Sequence, residues 1–375
     1  MHIETFKQHF SVIDDQRQSA KVTYPLFDVL FVSLCAVIAG AKGWFDIREY
    51  LLGHRAWFQK QGMFLDNIPA DDTIRRIIST IEPEPFHQCF LSWVQSVHTM
   101  TEGQVIAIDG KTLKGSYNRE DRNSTIHMVS AYANANKMVL GQLKTDKKSN
   151  EITAIPELIN MLELRGALVT IDAMACQTKI AKAIINKGAD YLLAVKDNQG
   201  GLSKAIKLAF RSYRTEPIEF SSSPLEKSHG RVETRQCFVL DATDLQGDFS
   251  RWKGLNKIIM IESSRAVKGK PISLEYRYYI SSKTLTADQA ADAVREHWGI
   301  ESMHWVLDVS MNEDACQIYK DHGAENLSCL RHIALNMLRA EPTKVSIVGK
   351  QKRCLMNTSN LERVLEAGLS GTSKN

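Results

Sequence analysis

The sequence predicts a mixed α/β protein, with a helical N-terminal region followed by a core in the order βββαβαβ that is interrupted by a β-rich insertion. Three observations carry this. Apolar residues recur at helical spacing from residue 23 to about 100. At residue 104 the period shifts to β-type runs that alternate with helical segments. From about 215 to 283 the chain returns to strands before helical spacing resumes at Thr286.

A chain of 375 residues is long for one compact core, so two domains, or one with a large insertion, are expected. Hydrophobic residues at 43% and charged residues at 24% exclude a disordered chain. A net charge of +4 permits an acidic partner without requiring one. The seven cysteines are scattered without a CxxC pair, which fits reduced thiols and argues against a zinc ribbon. "MHIETFKQHF" lacks the apolar core of a secretory signal. "LFDVLFVSLCAVIAGA" carries Asp28 and is short for a membrane span, so it reads as a buried helix, and the protein is expected to be cytoplasmic and off the membrane.

After that apolar helix come "DDTIRRIIST", which Asp71 or Asp72 can cap, and "EPEPFHQCFLSWVQSVH". Their junction is either a helix-turn-helix that reads DNA or an ordinary packing unit. "QVIAIDGKTL" and the hairpin "HMVSAYANANKMVLGQLKTD", turning near Asn134 to Asn136, supply three antiparallel strands. A helix from about Glu151 to Leu164, the strand "ALVTIDAM", the helix "CQTKIAKAIINKG" and the strand "DYLLAVK" follow. The division expected is a helical N-terminal domain over 1–102, a candidate for DNA binding, and a catalytic domain over 103–375 with its insertion at about 212–283.

Asp109 and Asp172 both end apolar β-type runs, "VIAI" and "LVTI". If those strands are neighbours, both carboxylates emerge at one sheet edge, where a third would complete an oxygen cage suited to magnesium or manganese. "IDG" and "IDA" are also good turn sequences, so each aspartate alone is explained by a turn. The third carboxylate is sought in "REHWGIESMHWVLDVSMNEDA", where one helix would align His297, Glu301, His304 and Asp308 on one face. Trp298 and Trp305 are expected to pack against the sheet. ExxH steps at Glu84, Glu226 and Glu301 raise a di-iron reading, but Pro85 breaks one and another falls among strands. HExxH is absent.

The ordered set "KVTYPLFDVLFVSLCAVIAGAKGW", "IPADDTIRR", "VIAIDGKTL", "KSNEITAIPELINML", "TIDAMACQ", "DYLLAVKDNQG", "EKSHGRVETR", "YYISS" and "HWGIESMHWVLDVSMNED" resembles the H-repeat-associated insertion-sequence transposases, a bacterial branch of the DDE transposases. The resemblance implies a ribonuclease-H-like catalytic core with a β-rich insertion and a triad of Asp109, Asp172 and Glu301 that holds two Mg²⁺ (or Mn²⁺) ions, about 3.5 to 4 Å apart in two-metal sites. It implies cleavage and joining of double-stranded DNA, at element ends and target, by a chain that is a homo-oligomer when assembled on DNA. Broader relatives carry Tyr, Arg, Glu and Lys around the glutamate, whereas this chain has Val294, His297, Glu301 and Asp308, so Glu313 or Asp314 stands as the reserve for the third carboxylate.

On that reading Lys111, Lys196, Asn198, Arg231, Arg235 and His297 are the expected DNA contacts, with Gln199 and His229 beside them. Lys344, Lys350, Lys352 and Arg353 add a basic tail. A nuclease that cuts without joining, and a silent DNA-binding relic of an insertion sequence, are the competing functions.

Overall fold

Helices α1 (Ile3–Phe10), α2 (Leu26–Ile38), α3 (Trp44–Gly53), α4 (Arg55–Lys60), α5 (Asp71–Ser79) and α6 (Pro83–Val97) open the chain. The computed structural model describes residues 3–118, 120–145, 151–212, 219–228 and 231–370. The apolar run expected to be a buried helix is α2, buried from Val29 to Ile38. Among the described residues no helix is long and apolar enough to cross a membrane. Asp71 and Asp72 lie inside the first turn of α5, where they complement the helix dipole, and the cap position is taken by Ala70.

The strands β1 (Val105–Thr112), β2 (His127–Ala133) and β3 (Met138–Thr145) form a meander, followed by α7 (Glu151–Met161), β4 (Leu168–Ile171), α8 (Thr178–Asn186), β5 (Asp190–Val195) and α9 (Gly200–Ser212). Then come β6 (Glu219–Ser222), β7 (Glu226–Ser228), β8 (Arg231–Asp241), β9 (Lys257–Val267) and β10 (Ser273–Ser281). One sheet holds them in the order β3-β2-β1-β4-β5-β10-β9-β8-β6, with β7 beside β8. In its first half β1, β4 and β5 are parallel and β2 alone is reversed relative to β1, β3, β4 and β5, which is the ribonuclease-H-like arrangement. The β-rich insertion is a continuation of that sheet, because β10 pairs antiparallel with β5.

The closing helices are α10 (Ala287–His297), α11 (Gly299–Val309), α12 (Gly323–Ala340), α13 (Ile347–Met356) and α14 (Thr358–Leu369). The single helix expected around Glu301 is therefore two, broken at Trp298. The break lies at a close tertiary approach. A side chain at Gly299 would collide with the Asn134 side chain at the β2–β3 turn unless that side chain moved aside. Trp298 and Trp305, expected against the sheet, are instead 41% and 60% exposed. Ile300, Met303 and Leu307 form the buried face of α11.

Helix α12 is buried from Gly323 to Leu338 and packs against α2, α5, α6, β3 and α14. Its polar residues hold both halves of the chain. Asn326 donates to the carbonyls of Ile78 and Ile81 at 2.8 Å, closing the α5–α6 turn. Asn336 exchanges two hydrogen bonds with the Val139 backbone. The α5–α6 pair is thus fastened into the core, with Phe86, Phe90 and Trp93 of α6 buried. A single hydrophobic cluster extends from Phe6 through the sheet to Leu369, and a second joins β8, β9 and β10 to Ala290, Ala293 and Val294 of α10.

Candidate active site

Parallel pairing of β1 with β4 sets Ile108 opposite Ile171, so Asp109 and Asp172 follow at the same level on strands about 4.8 Å apart. In parallel strands residues at one level point to the same face. Asp172 also serves the turn that "IDA" suggests, its Oδ1 accepting N–H groups of Met174 and Ala175 at 3.2 and 3.3 Å. Glu301 enters from the first turn of α11, which packs on β1 and β2.

Burial pushes the Asp109 carboxyl up to about 7; a backbone hydrogen bond at Gly110 opposes this, and the negative charges of Asp172, Glu151 and Glu301 add to it. Burial also raises Glu301, against the pull of Arg277. Glu151 was not singled out from sequence. It opens α7 and pairs with His127, whose Nδ1 lies 2.9 Å from Thr112 Oγ1. Any side chain at Gly110 would strike both Glu151 and His127, so "IDG" carries its glycine for close packing. A carboxylate opening the helix after β3 was the available signal.

His304, on α11, stands 3.6 Å from Asp109 Oδ2. Burial, followed by the Lys111 and His332 charges, holds its pKa down at about 3, so it stands neutral beside the carboxylate. His297 Nδ1 is 2.9 Å from Thr170 Oγ1, and burial holds its pKa below the ordinary value against the charge of Asp172.

Several expected DNA contacts face inward. Lys111 pairs with Asp308 and with Glu313 Oε2 at 2.5 Å, and lies 3.8 Å from Asp314. Glu313, the reserve for the third carboxylate, is buried there and accepts from Ser328 at 2.9 Å. Asn198 donates to the Ala173 carbonyl at 2.7 Å and so braces the loop after Asp172. Lys350 is buried, donating to the Leu338 carbonyl at 2.8 Å at the end of α12 and pairing with Glu341, whereas Lys344, Lys352 and Arg353 are exposed.

Lys196 is exposed at the end of β5. Arg231 and Arg235 line a cleft of about 840 Å³ between the sheet extension and α10, shared with Arg265, Arg277 and Arg295. Glu233 pairs with Arg231, Arg235 and Arg265, and Glu226 with Arg235 and Arg295. Trp298 also lines the cleft, with the Arg277 guanidinium 5.2 Å from its ring centre. His229 lies outside the described residues.

The donor set fits a hard divalent cation, since it is made of oxygens and crowds negative charge around a buried carboxyl. Among the described residues no three His, Cys, Asp or Glu side chains stand close enough to clasp an ion by themselves.

Residues 100–337 match the family described as Transposase DDE domain, and residues 7–94 match the one described as DDE_Tnp_1-associated. The chain belongs to the DDE transposase family. It is 44% identical to the "H repeat-associated putative transposase YhhI" of Escherichia coli (strain K12), over 99% of this chain and all of that one. It is 46% identical to the "Putative transposase YncI" of Escherichia coli O157:H7, over 97% of this chain and 95% of that one. A cryo-EM structure of the piggyBac transposase synaptic complex with hairpin DNA aligns over 100% of this chain and 80% of its own, at 11% identity and a TM-score of 0.47. Membership in this transposase family agrees with the resemblance read from the sequence motifs.

Proposed function

We propose that the chain is a metal-dependent DNA transposase that hydrolyses phosphodiesters at insertion-sequence ends and joins the freed strand to target DNA, with Asp109, Asp172 and Glu301 as its catalytic carboxylates. The observation that carries this reading is the parallel β1–β4 pairing, which brings two distant aspartates level, with the charge of Glu301 acting on the first of them. The carboxylates would hold two divalent ions, Mg²⁺ or Mn²⁺, whose chemistry is to acidify an attacking water or 3′-hydroxyl and to stabilise the departing oxygen. The residues of the chain supply the rest. Asp109 presents its oxygens from within β1 and Asp172 from the residue after β4, a rigid support for groups that must be positioned within a fraction of an ångström. Glu301 stands at the exposed end of a helix, where a phosphodiester can approach it. Lys196 and the arginines of the adjoining cleft, Arg231 and Arg235 among them, contact the DNA backbone. The inward-facing Lys111, Asn198 and His297 shape the site from behind.

The test is cleavage and strand transfer on a supercoiled plasmid carrying the gene with its flanking DNA, in Mg²⁺. Asp109→Asn, Asp172→Asn and Glu301→Gln each abolish nicking and joining while DNA binding persists. Full Mg²⁺-dependent cleavage by any of the three would remove that residue from the site. Cleavage without joining would reduce the reading to a nuclease.

A further inference from the structure

We propose that two tethers, His297 to Thr170 and Asp308 to Lys111, are the device that sets Glu301 against the two aspartates. This rests on the reading of Asp109, Asp172 and Glu301 as the catalytic acids. The two tethers flank the glutamate, one at the end of α10 and the other on α11. Four residues before Glu301, His297 is bonded at 2.9 Å to Thr170, which lies two residues before Asp172. Seven residues after Glu301, Asp308 is paired with Lys111, which lies two residues after Asp109. One tether therefore registers Glu301 on the strand of the second aspartate, and the other on the strand of the first.

The need for such a device follows from the local fold. Glu301 lies in the first turn of α11, just past the break at Trp298, and Trp298 is exposed. The helix is held from beneath by Ile300, Met303 and Leu307. Apolar contacts are non-directional and fix neither rotation nor sliding of a helix sharply, whereas a hydrogen bond and a charged pair do. Lys111 is itself anchored, because it also grips Glu313, which accepts from Ser328 on α12. Asp308 is thus connected through Lys111 to the most deeply buried helix of the chain. His297 and Asp308, drawn first as a DNA contact and as part of a polar face, are on this account positioning residues, as are Lys111 and Thr170.

Two mild variants test it. Thr170→Val replaces a buried hydroxyl by a methyl of the same shape, and Asp308→Asn leaves Lys111 paired with Glu313. Each is assayed, with the double variant, for plasmid cleavage and for Mn²⁺ binding followed by electron paramagnetic resonance. The expected result is kcat lower by roughly 10- to 100-fold and a weaker Mn²⁺ affinity, with KM for the plasmid within about twofold. Thr170→Ser restores both. Wild-type kcat and Mn²⁺ affinity in both single variants would overturn the proposal, and so would a raised KM with unchanged kcat, which marks a phosphate contact. Asp109→Asn run in parallel separates the two levels. Cleavage surviving in Asp109→Asn removes the active-site reading itself, while an inactive Asp109→Asn beside fully active Thr170→Val and Asp308→Asn removes only the tethers.

Discussion

Glu313 and Lys111 form an ion pair of 2.5 Å in which the carboxylate side chain is 1% exposed and the ammonium side chain 10%. Burial alone pushes the Glu313 carboxyl up, but Lys111, His332 and Arg331 outweigh it and hold the pKa down at about 2. A carboxylate held this way is structural, and its loss leaves a buried ammonium short of a partner. Glu313→Gln is expected to lower stability by about 3 kcal/mol in denaturant titration. Glu301→Gln, at an exposed position, should stay within about 0.5 kcal/mol of wild type while losing cleavage. This contrast separates the two glutamates that compete for the third place in the triad.

Asp109 is the converse case, a buried carboxyl surrounded by like charge. Asp109→Asn relieves that repulsion, so the variant should be more stable by roughly 1 kcal/mol and inactive in cleavage. Paired thermal melts and plasmid nicking read both.

Gly110→Ala introduces a methyl group where Glu151 and His127 already stand. The strand that carries Asp109 must shift or the pair must part. A loss of about 2 to 3 kcal/mol is expected, with cleavage reduced as well. Stability equal to wild type would show that the contact yields freely.

Acidification should weaken the fold in two stages. Burial holds His87 and His332 at about 4, with their mutual proximity adding to the shift at His87. Each folded pKa lies below the ordinary 6.5, so the unfolded chain takes up the proton first. Stability is therefore full above about pH 6.5 and falls as the pH drops towards 4, by about 3 kcal/mol for each histidine at most. Glu313 follows the same sign lower down, losing its contribution from about 4.5 towards 2. Melting temperature against pH measures the decline, and His332→Gln should make it shallower.

DNA affinity should fall steeply with salt. Lys196→Ala and Arg277→Ala are each expected to reduce the slope of log affinity against log salt by about one, with no change in sequence preference. An unchanged slope would remove that residue from the phosphate contacts.

The two aspartates were legible in the sequence because both follow apolar β-type runs, which the pairing of β1 with β4 makes neighbours; that β1 continues past Asp109 to Thr112 was not. The break before Gly299 was not, since it arises from a tertiary approach to Asn134, and no local breaker stands there apart from the glycine itself. The tryptophans misled because aromatic size suggested a core role, while the apolar face of α11 is defined by Ile300, Met303 and Leu307. The inward turn of Lys111 depends on acids far along the chain, and a lone lysine after "IDG" reads as a surface charge until they are brought to it. Glu151 stayed hidden for the same reason, its importance lying in what it touches.

Helix α12 gives the chain an all-or-none character. It is made after α2, α5 and α6, yet it supplies surface against which they bury their apolar faces. A gene copy interrupted anywhere upstream of Gly323 would release a ribosome product with those faces bare, prone to aggregation and proteolysis. Early stop codons should therefore leave no folded N-terminal fragment.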